Sequence, residues 1–220
     1  LHPTVQQWLS TGQRPKLEEF SPDLFRLPLL SAQGVALLNA ELDAFNAWVL
    51  QHTVEVQRPN SMNHHGVILG DIGFQAALDH LNTSVLRPLV AELFPGGESL
   101  DGAHGFIVEY GLAGDQDLGF HVDDSEVTVN LCLRNTAVGS ELYFQGRRCA
   151  NHRQDPVRPG EEVVVGHQPG VALIHAGSHR HGVYGISQGA RRNLILWSSS
   201  SAYRAVTGFW DPADWCPSCP

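Results

Sequence analysis

The sequence predicts an α+β fold, with two or more N-terminal helices packed on one sheet of a β-rich second half. Three observations carry this. Apolar residues recur at helical spacing twice between Ser31 and Leu89. The breaker Phe94-Pro95-Gly96-Gly97 ends that texture. Short stretches of period-two alternation then follow one another closely, separated by Gly, Pro and Asn, the pattern of a sandwich, jelly roll or barrel.

Residues 1–30 carry Pro3, Pro15, Pro22 and Pro28 with little periodicity, which reads as an irregular lead-in with one short helix. From Ser31, a suitable N-cap, Leu38, Leu42, Phe45 and Val49 form the stripe of an amphipathic helix. A second stripe runs through Phe74, Leu78, Leu81, Val85 and Leu89, and Pro88 should kink or divide it. Between the stripes, the polar, turn-rich segment Arg58-Pro-Asn-Ser-Met-Asn-His-His-Gly66 reads as a surface loop entering the short strand Val67–Leu69. In the second half, Phe106, Val108 and Tyr110 share one strand face. Val127, Val129, Leu131 and Leu133 oppose Thr128, Asn130 and Cys132 in the same way. Further strands are expected at 141–144, 162–165, 171–174, 181–184 and 193–197. No internal repeat or low-complexity linker interrupts the pattern. Residues 31–200 are therefore expected to be a single domain, with 201–220 as a C-terminal tail.

Composition narrows the function classes. Of 220 residues, 42% are hydrophobic and 17% charged, the balance of a globular chain able to bury a core. The formal net charge is −9 and no Lys/Arg run exceeds a pair, which argues against nucleic acid as a partner. No apolar run is long enough to span a bilayer. Leu1-His2-Pro3-Thr4 resembles no signal peptide, so a soluble, cytoplasmic protein is expected. The sequence does not start with Met, which leaves room for a targeting segment ahead of Leu1. Cys132 lies in an apolar run and reads as a small buried hydrophobe. Cys216-Pro-Ser-Cys219 has CxxC spacing, but without a second pair it does not separate a metal site from a redox pair.

The chemistry-bearing stretch is Phe120-His121-Val122-Asp123. On an extended chain His121 and Asp123 point to one side, and one distant imidazole would complete the two-His-one-carboxylate facial triad of non-heme Fe(II) oxygenases. The pair alone is a weak signal. Among twelve histidines, His175, His179 and His181 cluster sixty residues later. His181 stands out because Arg191 follows ten residues on, in Gly189-Ala190-Arg191 before an apolar strand. A strand, tight turn and return strand would bring that guanidinium back beside the imidazole, as a bidentate partner for a carboxylate.

His121-x-Asp123 with His181 and Arg191 resembles the 2-oxoglutarate/Fe(II)-dependent oxygenases of the prolyl and lysyl hydroxylase type, whose pattern is H-x-D … H-(x)9-R. Tyr110, eleven residues before His121, and Asn130, nine after it, match the lysyl-hydroxylase-like offsets. Gly139-Ser-Glu-Leu-Tyr-Phe144 is similar to the family's Gly-Gly-x-Leu-x-Phe strand. Arg58-Pro-Asn-Ser-Met-Asn63, Asp123-Asp-Ser-Glu-Val-Thr128 and His179-Arg-His-Gly182 resemble the branch of 2-oxoglutarate and iron-dependent oxygenase domain-containing proteins. Two departures are Gly185, where many members have Pro, and Ser140 in place of the second Gly.

The resemblance implies a double-stranded β-helix (jelly-roll) core over about 100–200, holding Fe(II) through His121, Asp123 and His181. It implies 2-oxoglutarate as cosubstrate, its far carboxylate on Arg191 with Tyr110 and Asn130 as hydrogen-bond partners. O2 would be the oxidant and ascorbate the reductant. Halogenases on this scaffold have Gly or Ala at the carboxylate position, so Asp123 implies hydroxylation or another oxidation. A peptide or protein Pro or Lys side chain is the implied substrate, with a small metabolite as the alternative. Arg58, Asn60, Met62, Asn63 and Asp124 are the expected substrate-facing residues; His64 and His65 are expected to be ordinary exposed histidines. Two competing readings are a binding module with a vestigial site and a zinc hydrolase. The second gives Arg191 no use and names no general base. Oligomeric state is not legible in the sequence.

Overall fold

A computed structural model describes residues 1–207 and 216–219. The chain begins with α1 (Pro3–Thr11), β1 (Glu18–Ser21) and β2 (Leu24–Pro28). The long helix α2 (Ala32–His52) follows, then β3 (Gly66–Ile68), α3 (Gln75–Leu81), a π-turn over Asn82–Leu86 and α4 (Arg87–Val90). The β-rich part comprises β4 (Gly102–Gly111), β5 (Leu118–His121), β6 (Val127–Asn135), β7 (Val138–Gly139) and β8 (Leu142–Arg147). It continues with β9 (Val163–Val165), β10 (Val171–Ala176), β11 (His179–Val183), β12 (Ile186–Gln188) and β13 (Ala190–Ser199), and α5 (Ser201–Thr207) closes the described elements. Among the described residues, no helix is long and apolar enough to cross a membrane.

The strands form a seven-stranded antiparallel sheet, β1-β2-β10-β6-β13-β4-β3, facing a four-stranded sheet, β5-β11-β8-β9, with β12-β7 as a separate pair. This is the jelly-roll arrangement, and strand alternation explains it. Phe106, Val108 and Tyr110 of β4 and Ile195 of β13 point between the sheets, where they pack with Leu142, Phe144 and Val183 of the smaller sheet. The intervening Ile107, Leu194 and Leu196 point the other way, into a core shared with Leu42 of α2, Leu78 of α3 and Leu89 of α4. Val127, Val129, Leu131 and Leu133 of β6 face the helices too, which turns Thr128 and Asn130 inward. The main sheet therefore belongs to both cores.

The helices follow the sequence signals. Ser31 caps α2, its Oγ accepting from the Gly34 N–H at 3.1 Å. The second stripe is divided as Pro88 requires, although the break takes the form of a π-turn ahead of the proline. Residues 1–30 correct the expectation of an irregular lead-in. β2 pairs with β10 over five residues, Val171↔Pro28 to His175↔Leu24, and extends the main sheet. The prolines are compatible because Pro22 lies in the β1–β2 turn and Pro28 is the last residue of its strand. Of the tail expected over 201–220, Ser201–Thr207 are helical, and residues 208–215 and 220 lie outside the described residues.

Candidate active site

β5 and β11 are neighbours in the smaller sheet, and their register sets His121 directly opposite His181. Opposed residues share a face, and the two rings stand 4.2 Å apart centroid to centroid. Asp123 follows just past the strand end, its N–H held by the Gly177 carbonyl at 2.9 Å. His121 Nε2 lies 3.6 Å from Asp123 Oδ1, and His181 Nε2 lies 3.6 Å from Oδ2. These gaps are too long for hydrogen bonds and suit donor atoms arranged about a common centre.

Hydrogen bonds decide which atoms face that centre. His121 Nδ1 donates to Gly119 O at 2.9 Å and His181 Nδ1 donates to His179 O at 2.8 Å. A carbonyl only accepts, so each ring holds its proton on Nδ1 and presents the Nε2 lone pair inward. Thr128 Oγ1 donates to Asp123 Oδ2 at 2.7 Å, with Ser125 Oγ 2.7 Å behind it. Burial alone would raise the Asp123 pKa, but the field of His181 and the contact with His121 outweigh it and hold the carboxyl below its ordinary range. Burial pushes His181 down to about 3, which keeps it a neutral ligand. At His121 burial also acts downward, yet the Asp123 contact reverses it and the net shift is upward. Two imidazoles with aligned lone pairs and one ionised carboxylate fit a divalent iron.

Arg191 enters from the opposite sheet. A simple hairpin from His181 back to Arg191 does not form. β12 leaves to pair with β7, and β13 runs through the main sheet between β4 and β6. Arg191 and the triad thus line one pocket from its two walls. Arg191 is 2% exposed. Its Nη1 donates to the Ser140 carbonyl, its Cζ lies 4.7 Å from the Tyr110 ring centroid, and its Nε has no partner. Among the described residues no carboxylate forms an ion pair with it. Ser140 takes a left-handed conformation, φ 66°, to aim that carbonyl, a position where the family's second glycine would be unstrained.

Tyr110, paired in register with Arg191, accepts from Asn63 Nδ2 at 3.3 Å. Asn130 lines the same pocket, its Oδ1 accepting from Asn193 at 2.5 Å. The structure divides the expected substrate-facing residues. Asn60, Met62 and Asn63 line the pocket. Arg58 is exposed and does not line it. Asp124 points outward, pairing with Arg204 at 3.1 Å. Sequence reasoning missed Thr128, because a Thr on an alternating strand looks like any polar residue. It also missed the wall of Phe106 and Trp197, packed edge to face at 5.0 Å. His64 and His65 are exposed, their N–H groups held by Asp115 Oδ2 at 2.8 and 3.1 Å.

The OGFOD2-like domain family matches residues 2–98. The chain is 42% identical over 206 residues to the 2-oxoglutarate and iron-dependent oxygenase domain-containing protein CP2 of Arabidopsis thaliana, covering 92% of this chain and 52% of that protein. It is 36% identical over 198 residues to the mouse 2-oxoglutarate and iron-dependent oxygenase domain-containing protein 2, covering 88% and 54%. It therefore spans about half the length of these curated relatives. Among solved structures, a Pseudomonas putida prolyl-4-hydroxylase superposes with a TM-score of 0.53 at 18% identity, over 89% of this chain and 97% of that one. That likeness establishes the shared jelly-roll fold.

Proposed function

The chain belongs to the family of 2-oxoglutarate and iron-dependent oxygenase domain-containing proteins, and on that footing we propose that it hydroxylates a C–H bond with release of succinate and CO2. The observation that carries this reading is Arg191. A buried guanidinium without a carboxylate partner among the described residues, in the same pocket as two histidines and an aspartate, is set for a ligand carboxylate. 2-Oxoglutarate is a dicarboxylate, so it would have one carboxylate to offer Arg191.

His121, Asp123 and His181 would hold Fe(II). The bound metal would supply the redox chemistry that couples O2 to decarboxylation of 2-oxoglutarate and oxidation of the substrate. The protein's own residues do the rest. Thr128 fixes the carboxylate. Arg191 anchors the far end of the cosubstrate, with Tyr110 and Asn130 as hydrogen-bond partners. Phe106, Val108, Leu142, Ile195 and Trp197 line the pocket with apolar surface and limit water. Asn60, Met62 and Asn63 form the edge of the pocket that a substrate would meet. A peptide or protein Pro or Lys side chain is the favoured substrate, on the likeness of His121-x-Asp123, His181 and Arg191 to the prolyl and lysyl hydroxylase pattern; a small metabolite is the alternative. Ascorbate would serve as reductant.

The test is succinate formation by the purified chain with Fe(II), ascorbate and 2-oxoglutarate, and its loss in Asp123→Ala. Absence of succinate, together with no 2-oxoglutarate-dependent protection from unfolding, would remove the oxygenase reading and leave the binding-module one.

A further inference from the structure

A second group of donor side chains lies apart from the pocket. Cys149 follows β8 and opens a short 3-10 turn that carries His152. The Cys216–Cys219 turn, closed by the Cys219 N–H on the Cys216 carbonyl at 3.1 Å, sits against it. The donor atoms Cys149 Sγ, His152 Nδ1, Cys216 Sγ and Cys219 Sγ all lie within 4.8 Å of one another. The measured separations are 3.7 Å for Cys149 Sγ to Cys219 Sγ, and 3.2, 3.7 and 3.6 Å from His152 Nδ1 to Cys149, Cys216 and Cys219.

Those separations select among chemistries. A disulfide needs about 2.05 Å between sulfurs, and all four cysteines of the chain are free. A tetrahedral zinc with Zn–S of about 2.3 Å and Zn–N of about 2.0–2.1 Å sets S···S near ~3.8 Å and S···N near ~3.6 Å. The Cys149–Cys219 gap and the His152 gaps to Cys216 and Cys219 match those dimensions, while the 3.2 Å from His152 to Cys149 is shorter. Three sulfurs and one imidazole are a soft donor set suited to Zn(II), and four protein ligands leave no open position, as in structural rather than catalytic sites. The surroundings also suit thiolates. The Cys149 N–H points at Cys216 Sγ at 3.4 Å. Arg158 donates to the Pro217 carbonyl at 2.8 Å and reaches Ser218 Oγ at 3.4 Å.

We propose that Cys149, His152, Cys216 and Cys219 form a structural zinc site, separate from the His121–Asp123–His181 triad, which fastens the 216–219 turn to the connection between β8 and β9. That connection also braces the triad. Arg180, between His179 and His181 on β11, is fully buried and donates to Gln145, Gly146 and Asp155 carbonyls, with Asp155 at 2.6 Å. Arg148, next to Cys149, binds Glu161 through both terminal nitrogens at 2.5 and 2.8 Å. The zinc turn, the Glu161 pair and Arg180 make one continuous support behind the strand that carries His181.

Metal analysis of the full chain tests this. In Asp123→Ala, whose triad is disabled, about one zinc per chain is expected, released by p-hydroxymercuribenzoate and lost in Cys216→Ser/Cys219→Ser. Because those cysteine variants could misfold, the second measurement uses Asp123→Ala with its cysteines intact. Cobalt substitution should give thiolate-to-cobalt charge-transfer absorption, which the sulfur-free triad cannot produce. Zinc content indifferent to the cysteine changes, cobalt spectra without thiolate bands, or a Cys149–Cys219 disulfide in peptide maps of native protein would each overturn the proposal.

Discussion

Arg191 carries a charge that no carboxylate among the described residues balances. Burial pushes its pKa down, with Tyr110 acting in the opposite direction, and its Nε is left without a partner. A buried ion lacking a counter-ion costs several kcal/mol, and replacing such groups by apolar residues of similar size is often stabilising by about 1–4 kcal/mol. Arg191→Met should therefore raise the melting temperature of the ligand-free protein while weakening 2-oxoglutarate binding by about 3 kcal/mol or more, roughly 100-fold. Calorimetric titration and thermal melts of the same preparation check both. A variant that loses stability and keeps its affinity would show that Arg191 is a structural cation instead. Thr128 poses a smaller question. Thr128→Val keeps the shape but leaves Asp123 Oδ2 without its donor at 2.7 Å, and lost support behind a ligand typically costs 10–100-fold in metal affinity. A Mn(II) titration followed by electron paramagnetic resonance should show a loss of about that size.

At the scale of elements, the stretch 58–64 is held by side chains, ahead of the pairing with β4 that begins where the His65 carbonyl accepts from the Glu109 N–H and Gly66 pairs with Val108. Asn60 Oδ1 accepts from the Met62 and Asn63 N–H groups at 2.8 and 2.7 Å. Asp115 accepts from the His64 and His65 N–H groups and meets the His65 ring at 3.1 Å. Burial would raise the Asp115 pKa, but the His65 contacts and the His64 N–H outweigh it and the net shift is downward. A carboxyl depressed in the folded state stabilises above its unfolded pKa and loses that contribution as pH falls through the folded value. The loop should thus hold through the ordinary carboxylate range and loosen only below it, whereas Asp115→Ala should loosen it at every pH. Amide chemical shifts of His64 and His65 report this directly, and a loop that loosens near the model-peptide pKa would refute the anchoring role. The same scale shows what the sequence reveals. β6 is legible because one face packs under the helices while the other presents Thr128 and Asn130 to the pocket, which writes a two-residue period; β4, buried on both faces, carries the apolar run Phe106-Ile107-Val108 instead. β2 is hidden because its flanking prolines resemble a loop while only its ends need to be free of pairing. His181 is identifiable only through Arg191, yet the two lie on different sheets, since spacing records a family pattern and not a local hairpin. The zinc cluster escapes for a related reason. Cys149-Ala-Asn-His152 is the second pair that the CxxC lacks, but counting cysteines alone overlooks it, and the fold joins the two over a long separation.

For the whole molecule, the position of the pocket determines how binding is felt. The triad lies on the smaller sheet and Arg191 on the larger, so a metal and 2-oxoglutarate bound together would tie the two sheets across the gap. The larger sheet also forms the floor of the helix-packed core through Ile107, Leu194 and Leu196. Stabilising the pocket should therefore stabilise the helices too, and unfolding should remain a single transition. With Mn(II) added in place of iron and no substrate present, each ligand at about 100 times its Kd should add about 2.7 kcal/mol. For a chain of this length one kcal/mol corresponds to roughly 2–4 °C, so Mn(II) alone should raise the melting temperature by about 5–11 °C and 2-oxoglutarate should add a comparable step. Asp123→Ala should lose the first step, and Arg191→Met should keep it while losing most of the second. If ligands instead split the melt into two transitions, the shared sheet does not couple the two cores. If 2-oxoglutarate stabilises Arg191→Met as much as the native chain, the carboxylate is held elsewhere.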